Sequence, residues 1–414
     1  MILYKPENDI MLSHAGKQHS YKVAVSLENI GRLARFVTST YYMPSRFPDS
    51  IFAKFKPLDK FFSKRCENDL SPDKVIRYPF FEIPEILLRG VVGNKRVVSD
   101  MVCARDALFD NFVAKTQLAD CKIFWGFQGS CLRSLEAAGK RKITAIAEFS
   151  NAHVTAAIRI LEEEKIKNPE WADSINNLYF PKWYIERLKK EPLAADWCVV
   201  ESEFAKKTLE EAGISSGKIL VLPLGTDMKK FAFKRREIKK PFQILFVGGV
   251  GQRKGIKYLL DAYEKIKSEN TKLKIIGPVI GSGSAFRRRS DLYEYMGTLP
   301  HEEIVRQMHE SDVLVLPSLV EGFGLVITEA MATGMPVIAS RYSGAPEIIR
   351  EGCDGFIIEP RDVNGMAARL EELAMRMEKT VEMGNNARER AEEFSWEKHT
   401  VRLRNILSYI ENGK

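Results

Sequence analysis

PheGlnIleLeuPheValGlyGly (242–249), GlyIleLysTyrLeuLeuAspAlaTyrGluLysIle (255–266) and LysLeuLysIleIleGly (272–277) follow one another with little between them. The first and third have the length and the β-branched or aromatic content of buried strands, and each stops at glycine. The second places its apolar residues at helical spacing. Strand, helix and strand joined by short links imply a parallel βαβ unit. Downstream, AspValLeuValLeuPro (312–317) and ProValIleAlaSer (336–340) read as further strands around the helical ValIleThrGluAlaMetAlaThr (326–333), which Gly334 is placed to cap.

Upstream, ArgPheValThrSerThrTyrTyr (35–42), LysIlePheTrpGlyPhe (122–127), IleThrAlaIleAlaGlu (143–148) and AspTrpCysValValGluSer (196–202) repeat the buried-strand signal. Between them SerCysLeuArgSerLeuGluAlaAlaGlyLys (130–140) is amphipathic, with Gly139 suited to a C-cap. The chain therefore predicts an α/β protein of two Rossmann-like parallel-sheet domains. LysLysPheAlaPheLysArgArgGluIleLysLys (229–240) has no apolar period and reads as a basic linker between residues 1–228 and 241–395.

Composition narrows the class. With 414 residues, 45% hydrophobic and 29% charged, the chain has room for two or three cores and no resemblance to disordered or collagenous sequence. Six scattered cysteines without zinc spacing predict a reduced, cytoplasmic protein, and no apolar run reaches the ~18 residues of a membrane span. The net charge of +8 is unevenly held: residues 1–240 carry 40 basic and 30 acidic side chains, and the linker alone contributes seven against one. The excess is thus mainly a basic hinge. It is not interleaved with aromatics, so no nucleic-acid partner is expected. IlePheAlaLysPheLysProLeuAspLysPhePheSerLysArg (51–65) sets Phe52, Phe55, Leu58 and Phe62 against lysines. That leaves two readings open, a core-facing helix or peripheral contact with an anionic membrane surface at the inner face.

Open parallel sheets bind ligands outside the carboxyl ends of their strands. Two loops of the second half fit. ValGlyGlyValGlyGlnArgLysGly (247–255) ends a strand in bare glycines followed by Arg253 and Lys254, which suits an anion without matching a nucleoside-triphosphate P-loop. ProSerLeuValGluGlyPheGlyLeuValIleThrGluAlaMetAla (317–332) has Glu321 and Glu329 flanking seven residues, with free amides at Gly322, Phe323, Gly324 and Leu325. Glu329 is expected about two turns into the following helix. Two carboxylates beside a diphosphate repel unless hydroxyls lie between them, which favours a nucleotide sugar over a bare nucleotide. No D-x-D occurs, so no metal clamp is expected and Arg253 with Lys254 should hold the diphosphate.

The chain resembles the retaining GT-B glycosyltransferases of family 4. The resemblance rests on blocks in family order: AlaAspTrpCysValValGluSerGluPhe (195–204), LysIleLeuValLeuProLeuGlyThrAsp (218–227), ArgLysGly (253–255), MetGlyThrLeuPro (296–300), the paired-glutamate loop, GlyMetProValIleAlaSer (334–340), SerGlyAlaProGluIleIle (343–349), AspGlyPheIleIle (354–358) and PheSerTrpGlu (394–397). It implies a sugar transferred from a nucleotide diphosphate to a hydroxyl acceptor, a glycan, a lipid-linked glycan or a small molecule, with retained configuration and no cofactor. It implies that Glu321 holds the transferred sugar, Glu329 the donor ribose, the Gly322–Leu325 amides the distal phosphate, Lys254 the leaving diphosphate, and the backbone of Gly297 to Leu299 the base. His153, after a strand of the first domain, is similar to a cleft-facing catalytic histidine, with an N-capping role as the alternative. HisAlaGlyLysGlnHis (14–19) resembles a degraded acceptor-side loop, making Gly16 and His19 weaker candidates. The terminal helix (396–414) is expected to return to the first domain. One departure stands out: Gly249 occupies the place of a family arginine, and Arg253 is the substitute in reach. A GT-B sugar-nucleotide epimerase and a non-catalytic nucleotide-sugar-binding protein remain the rival readings.

Overall fold

The computed structural model describes residues 8–412 apart from 48, 55, 57–61, 90–94, 179 and 239. The first domain is built on β1 (Ile10–His14), β2 (Leu33–Thr38), β3 (Val75–Arg77), β4 (Ile123–Phe127), β5 (Thr144–Phe149), β6 (Trp197–Val200) and β7 (Ile219–Val221). They pair in parallel in the order β3-β2-β1-β4-β5-β6-β7. The second domain holds β8 (Phe242–Val247), β9 (Thr271–Ile276), β10 (Glu294–Tyr295), β11 (Val313–Leu316), β12 (Val337–Ser340) and β13 (Gly355–Ile358), in the order β10-β9-β8-β11-β12-β13. The strand order reverses between β1 and β4 and between β8 and β11. Each reversal opens a crevice at the carboxyl edge of its sheet.

Burial on both faces explains the unbroken apolar runs of the strands. The pleat sends Ile10, Leu12, Phe36 and Trp125 to one side of the first sheet and Met11, Val37 and Phe124 to the other. Helix Trp396–Asn412 covers the former side with Leu403, Leu407 and Ile410. The helix at 132–140 runs through Gly139, whose role as a cap is not used; the left-handed residue after it is Lys142. Gly334 does adopt φ +84° after helix Leu325–Ala332. That helix begins at Leu325, so Glu329 stands little more than one turn inside it, nearer the loop than its sequence suggested.

The basic run at 229–240 is docked on the second domain. Arg236 donates to the carbonyls of Gly334 at 2.7 Å and Met308 at 2.8 Å, and Phe231 is buried. Of the lysine- and phenylalanine-rich stretch at 51–65, Phe55 and Leu58 lie outside the described residues. Its described parts form only short turns, with the Phe62 ring stacked on Tyr42. No helix of the described residues is long and apolar enough to cross a membrane.

The two domains are joined at a buried polar hub. Glu164, on helix Val154–Lys167, is fully buried and accepts from Asn168 (2.6 Å), Gln252 (2.7 Å), Tyr258 (2.9 Å) and Arg361 (2.8 Å). Three of those donors come from the second domain. Four charge-assisted bonds satisfy a carboxylate whose burial is otherwise very unfavourable.

Candidate active site

The two anion-suited loops meet at the β8/β11 switch point. Leu319 N–H donates to Arg253 O at 2.9 Å, which fixes one loop against the other. Lys254 Nζ donates to Glu321 Oε2, the Ser318 hydroxyl donates to the same oxygen at 3.1 Å, and Arg253 Nη1 lies 3.7 Å from it while donating to Val320 O at 2.9 Å. Burial works to raise the Glu321 carboxyl. The charges of Lys254 and Arg253 and the two hydrogen bonds outweigh it and bring the pKa down to about 2. Burial pulls the Lys254 amine below its ordinary value, against the attraction of Glu321.

Gly249 borders the same loop. A Cβ there would meet Ile280 at 3.5 Å, an ordinary contact, so the backbone accepts a side chain at that position. The guanidinium that reaches Glu321 is that of Arg253. Glu329 is half-buried, and burial pushes its carboxyl up to about 7 against the pull of Lys230.

Gly324 has φ +86°, which glycine adopts without strain and which turns the chain into helix Leu325–Ala332. Phe323 is a core side chain, 1% exposed, so only its backbone is left to border the loop. Gly322 is pressed against the first domain: a Cβ would lie 1.9 Å from Ser150 O, and Gly322 O accepts from the Ser202 hydroxyl at 2.6 Å. Gly297, at φ +70°, accepts from Gly277 N–H at 2.8 Å with open space where a Cβ would stand, and Leu299 packs on the second core.

Across the cleft, His153 caps helix Val154–Lys167: its Nδ1 accepts from Thr155 N–H at 3.4 Å, and burial lowers its pKa. Gly16 is covered by the Arg105 guanidinium, 3.3 Å from where a Cβ would be. His19 Nε2 lies 2.7 Å from Glu148 Oε1 and 3.5 Å from Glu201 Oε1. Neither glutamate stands out in the sequence beyond being an acid at the end of an apolar run, Glu148 in β5 and Glu201 just after β6; that position on a parallel sheet is the available signal.

A cavity of about 340 Å³ runs between the domains, with Gln18, Gln128, Ser150 and Asn151 on one wall and Arg253 and Val320 on the other. A larger one, about 630 Å³, lies beside the starts of β8 and β9, at the opposite edge from the charged loops, with Lys240, Lys265, Lys267, Glu371 and Glu378 in its lining.

Residues 227–390 match the family model described as Glycosyl transferases group 1. The chain is 31% identical over 245 residues to the sulfoquinovosyl transferase SQD2 of Arabidopsis thaliana, covering 54% of this chain and 46% of that one. It spans about half the length of the curated relatives it matches first. Among solved structures, the sucrose-phosphate synthase of Thermosynechococcus elongatus superposes with a TM-score of 0.65 at 18% identity, covering 98% of this chain and 99% of that one. HepE of Anabaena, solved with UDP, superposes at 0.60 and 15% identity, covering 96% and 99%. The fold is thus the GT-B architecture of two facing Rossmann-like domains.

Proposed function

We propose that the protein is a glycosyltransferase that moves a sugar from a nucleotide-diphosphate sugar to a hydroxyl acceptor with retention of configuration. The observation that carries this reading is the Lys254–Glu321 ion pair, flanked by Arg253, at the carboxyl edge of the second sheet. In this reading a diphosphate takes over Lys254 and Arg253, and Glu321, released, turns to the hydroxyls of the transferred sugar. The amides of Gly322 to Leu325 meet the distal phosphate, and Glu329 meets the ribose.

The protein's task is then positioning and charge stabilisation of the departing diphosphate by fixed cations and amides. As the C1–O bond of the donor breaks, its electron pair goes to the diphosphate. The acceptor oxygen bonds to C1 from the same face, and its proton passes to a phosphate oxygen. No metal takes part. The acceptor, a glycan, a lipid-linked glycan or a small molecule, enters from the first domain; cytoplasmic location with peripheral contact at an anionic membrane face belongs to the same reading.

Thermal-shift screening of UDP-, GDP- and ADP-sugars tests it, because a bound ligand stabilises by its occupancy. A diphosphate sugar should stabilise the protein and be turned over to nucleotide diphosphate. Stabilisation without turnover under any acceptor favours the non-catalytic reading, which Gly249 motivates, and release of an epimer favours the epimerase.

A further inference from the structure

The first domain presents a charged centre of its own to the donor loop. His19 stands at the N-cap of helix Ser20–Asn29, Glu148 next to last in strand β5 and Glu201 directly after β6. Three elements far apart in sequence deliver an imidazole and two carboxylates to one sheet edge, with one ligand atom of each within 4.8 Å of the others. Glu148 is fully engaged: one oxygen faces His19 and the other accepts from the Trp125 indole at 2.8 Å. Glu201 is not. It is 3% exposed, and its Oε1 makes no hydrogen bond among the described residues although it lies within ion-pair reach of His19.

A buried carboxylate oxygen without a donor is unfavourable and calls for one. Its other oxygen, Oε2, sits 3.1 Å from where a Cβ on Gly322 would be, so Glu201 borders the donor loop at the residue next to Glu321. Burial pushes Glu201 up to about 7, opposed by His19 and by a hydrogen bond from the Ser150 side chain and reinforced by Glu148 and Glu321, while Oε1 stays without a donor. The nearest donor in the cluster, His19 Nε2, is engaged with Glu148 at 2.7 Å and stands 3.5 Å from Glu201 Oε1. What Glu201 Oε1 lacks is a further donor, a place that a sugar O–H can fill.

We propose that Glu201 receives a sugar hydroxyl: its free oxygen accepts a hydrogen bond from a substrate hydroxyl beside Glu321, with His19 and Glu148 as the positioning pair. The inference rests on the glycosyltransferase reading above. Such a hydroxyl has two sources, the transferred sugar and the acceptor, and two measurements separate them.

Calorimetric titration of wild type and Glu201→Gln with UDP, GDP and ADP, and with their glucose conjugates, reads the first source. The variant should leave nucleoside-diphosphate affinity unchanged and weaken the conjugate about tenfold, the worth of one hydrogen bond to a charged group. Nucleotide release from the saturating conjugate, with and without glycerol, reads the second. A variant that binds the conjugate normally but loses the glycerol-dependent release assigns the hydroxyl to the acceptor. His19→Gln should reproduce whichever loss appears, which a merely structural role would not confine to the sugar conjugate. Equal conjugate affinity and equal glycerol response in wild type and variant overturn the inference. So does stabilisation of the wild type by Zn²⁺ or Mn²⁺ alone that Glu201→Gln abolishes, because a metal is then the occupant. No binding of any conjugate by the wild type overturns the functional reading itself.

Discussion

The Lys254 ammonium is ion-paired with the Glu321 carboxylate, so the loop after β8 and the loop after β11 meet as opposite charges across a strand-order reversal. Each group favours the charged form of the other in a largely buried place. Lys254→Ala should abolish the thermal shift produced by a nucleotide-diphosphate sugar and lower turnover by about two to three orders of magnitude, the usual loss when one fixed charge at a developing anion is removed. An unchanged shift in the variant would refute the phosphate role.

Arg253 donates to Val320 O and stands 3.7 Å from Glu321, while Gly249 has room for a side chain. If Arg253 supplies the charge that position 249 lacks, Arg253→Ala weakens nucleoside-diphosphate binding about tenfold, the worth of one charge-assisted bond. Adding Gly249→Arg in that background should recover part of it. Calorimetry on the single and double variants decides; a silent Arg253→Ala sinks the substitution argument.

Gly322→Ala places a methyl 1.9 Å from Ser150 O, where backbone faces backbone and neither side yields. The domains should be prised apart locally. The expected result is loss of most activity and a larger radius of gyration in solution scattering, with nucleoside-diphosphate binding to the second domain retained. Full activity in this variant would show that the Ser150–Gly322 contact is not needed for turnover.

Removing the Glu164 carboxylate takes a shared acceptor from four donors at the domain junction, of which Asn168 keeps a bond to Tyr258. Glu164→Ala should cost about 3 kcal/mol, in the range for breaking a buried charged network, and Glu164→Gln less, because one amide oxygen still accepts. Chemical denaturation monitored separately in each domain should show the two transitions drifting apart in Glu164→Ala.

His399 is fully buried, its Nδ1–H donates to Pro223 O at 2.9 Å, and burial lowers its pKa to about 4. Between the unfolded value of about 6.5 and that folded value the unfolded chain binds the proton and the native one does not. Stability therefore falls as pH falls through this window, by an amount on the order of 3 kcal/mol at its lower end. His14, lowered to about 3 mainly by burial, adds a loss of the same sign. His399→Asn should flatten the melting temperature between pH 6.5 and 4; an unaltered slope would remove His399 from the account.

The longer apolar strands and the charged loops were legible in the sequence for a local reason, whereas β1 (Ile10–His14), β3 (Val75–Arg77), β7 (Ile219–Val221) and β10 (Glu294–Tyr295) were not. A strand buried on both faces must be apolar throughout, and a loop that meets phosphate must carry glycine and fixed cations within a few residues. Strands such as 242–247, 271–276 and 313–316 and the neighbours Arg253, Lys254 and Glu321 are of this kind. What depends on contact between distant segments was decided only by the tertiary structure. Glu164 looks like one acid in a run of three, Gly139 looks like a cap, and Glu148 and Glu201 look like ordinary strand-end acids until the sheet brings them to His19. The free energy of a buried charge is set by the partners that surround it, and the hydrophobic periodicity of a single segment carries no record of which partners those are.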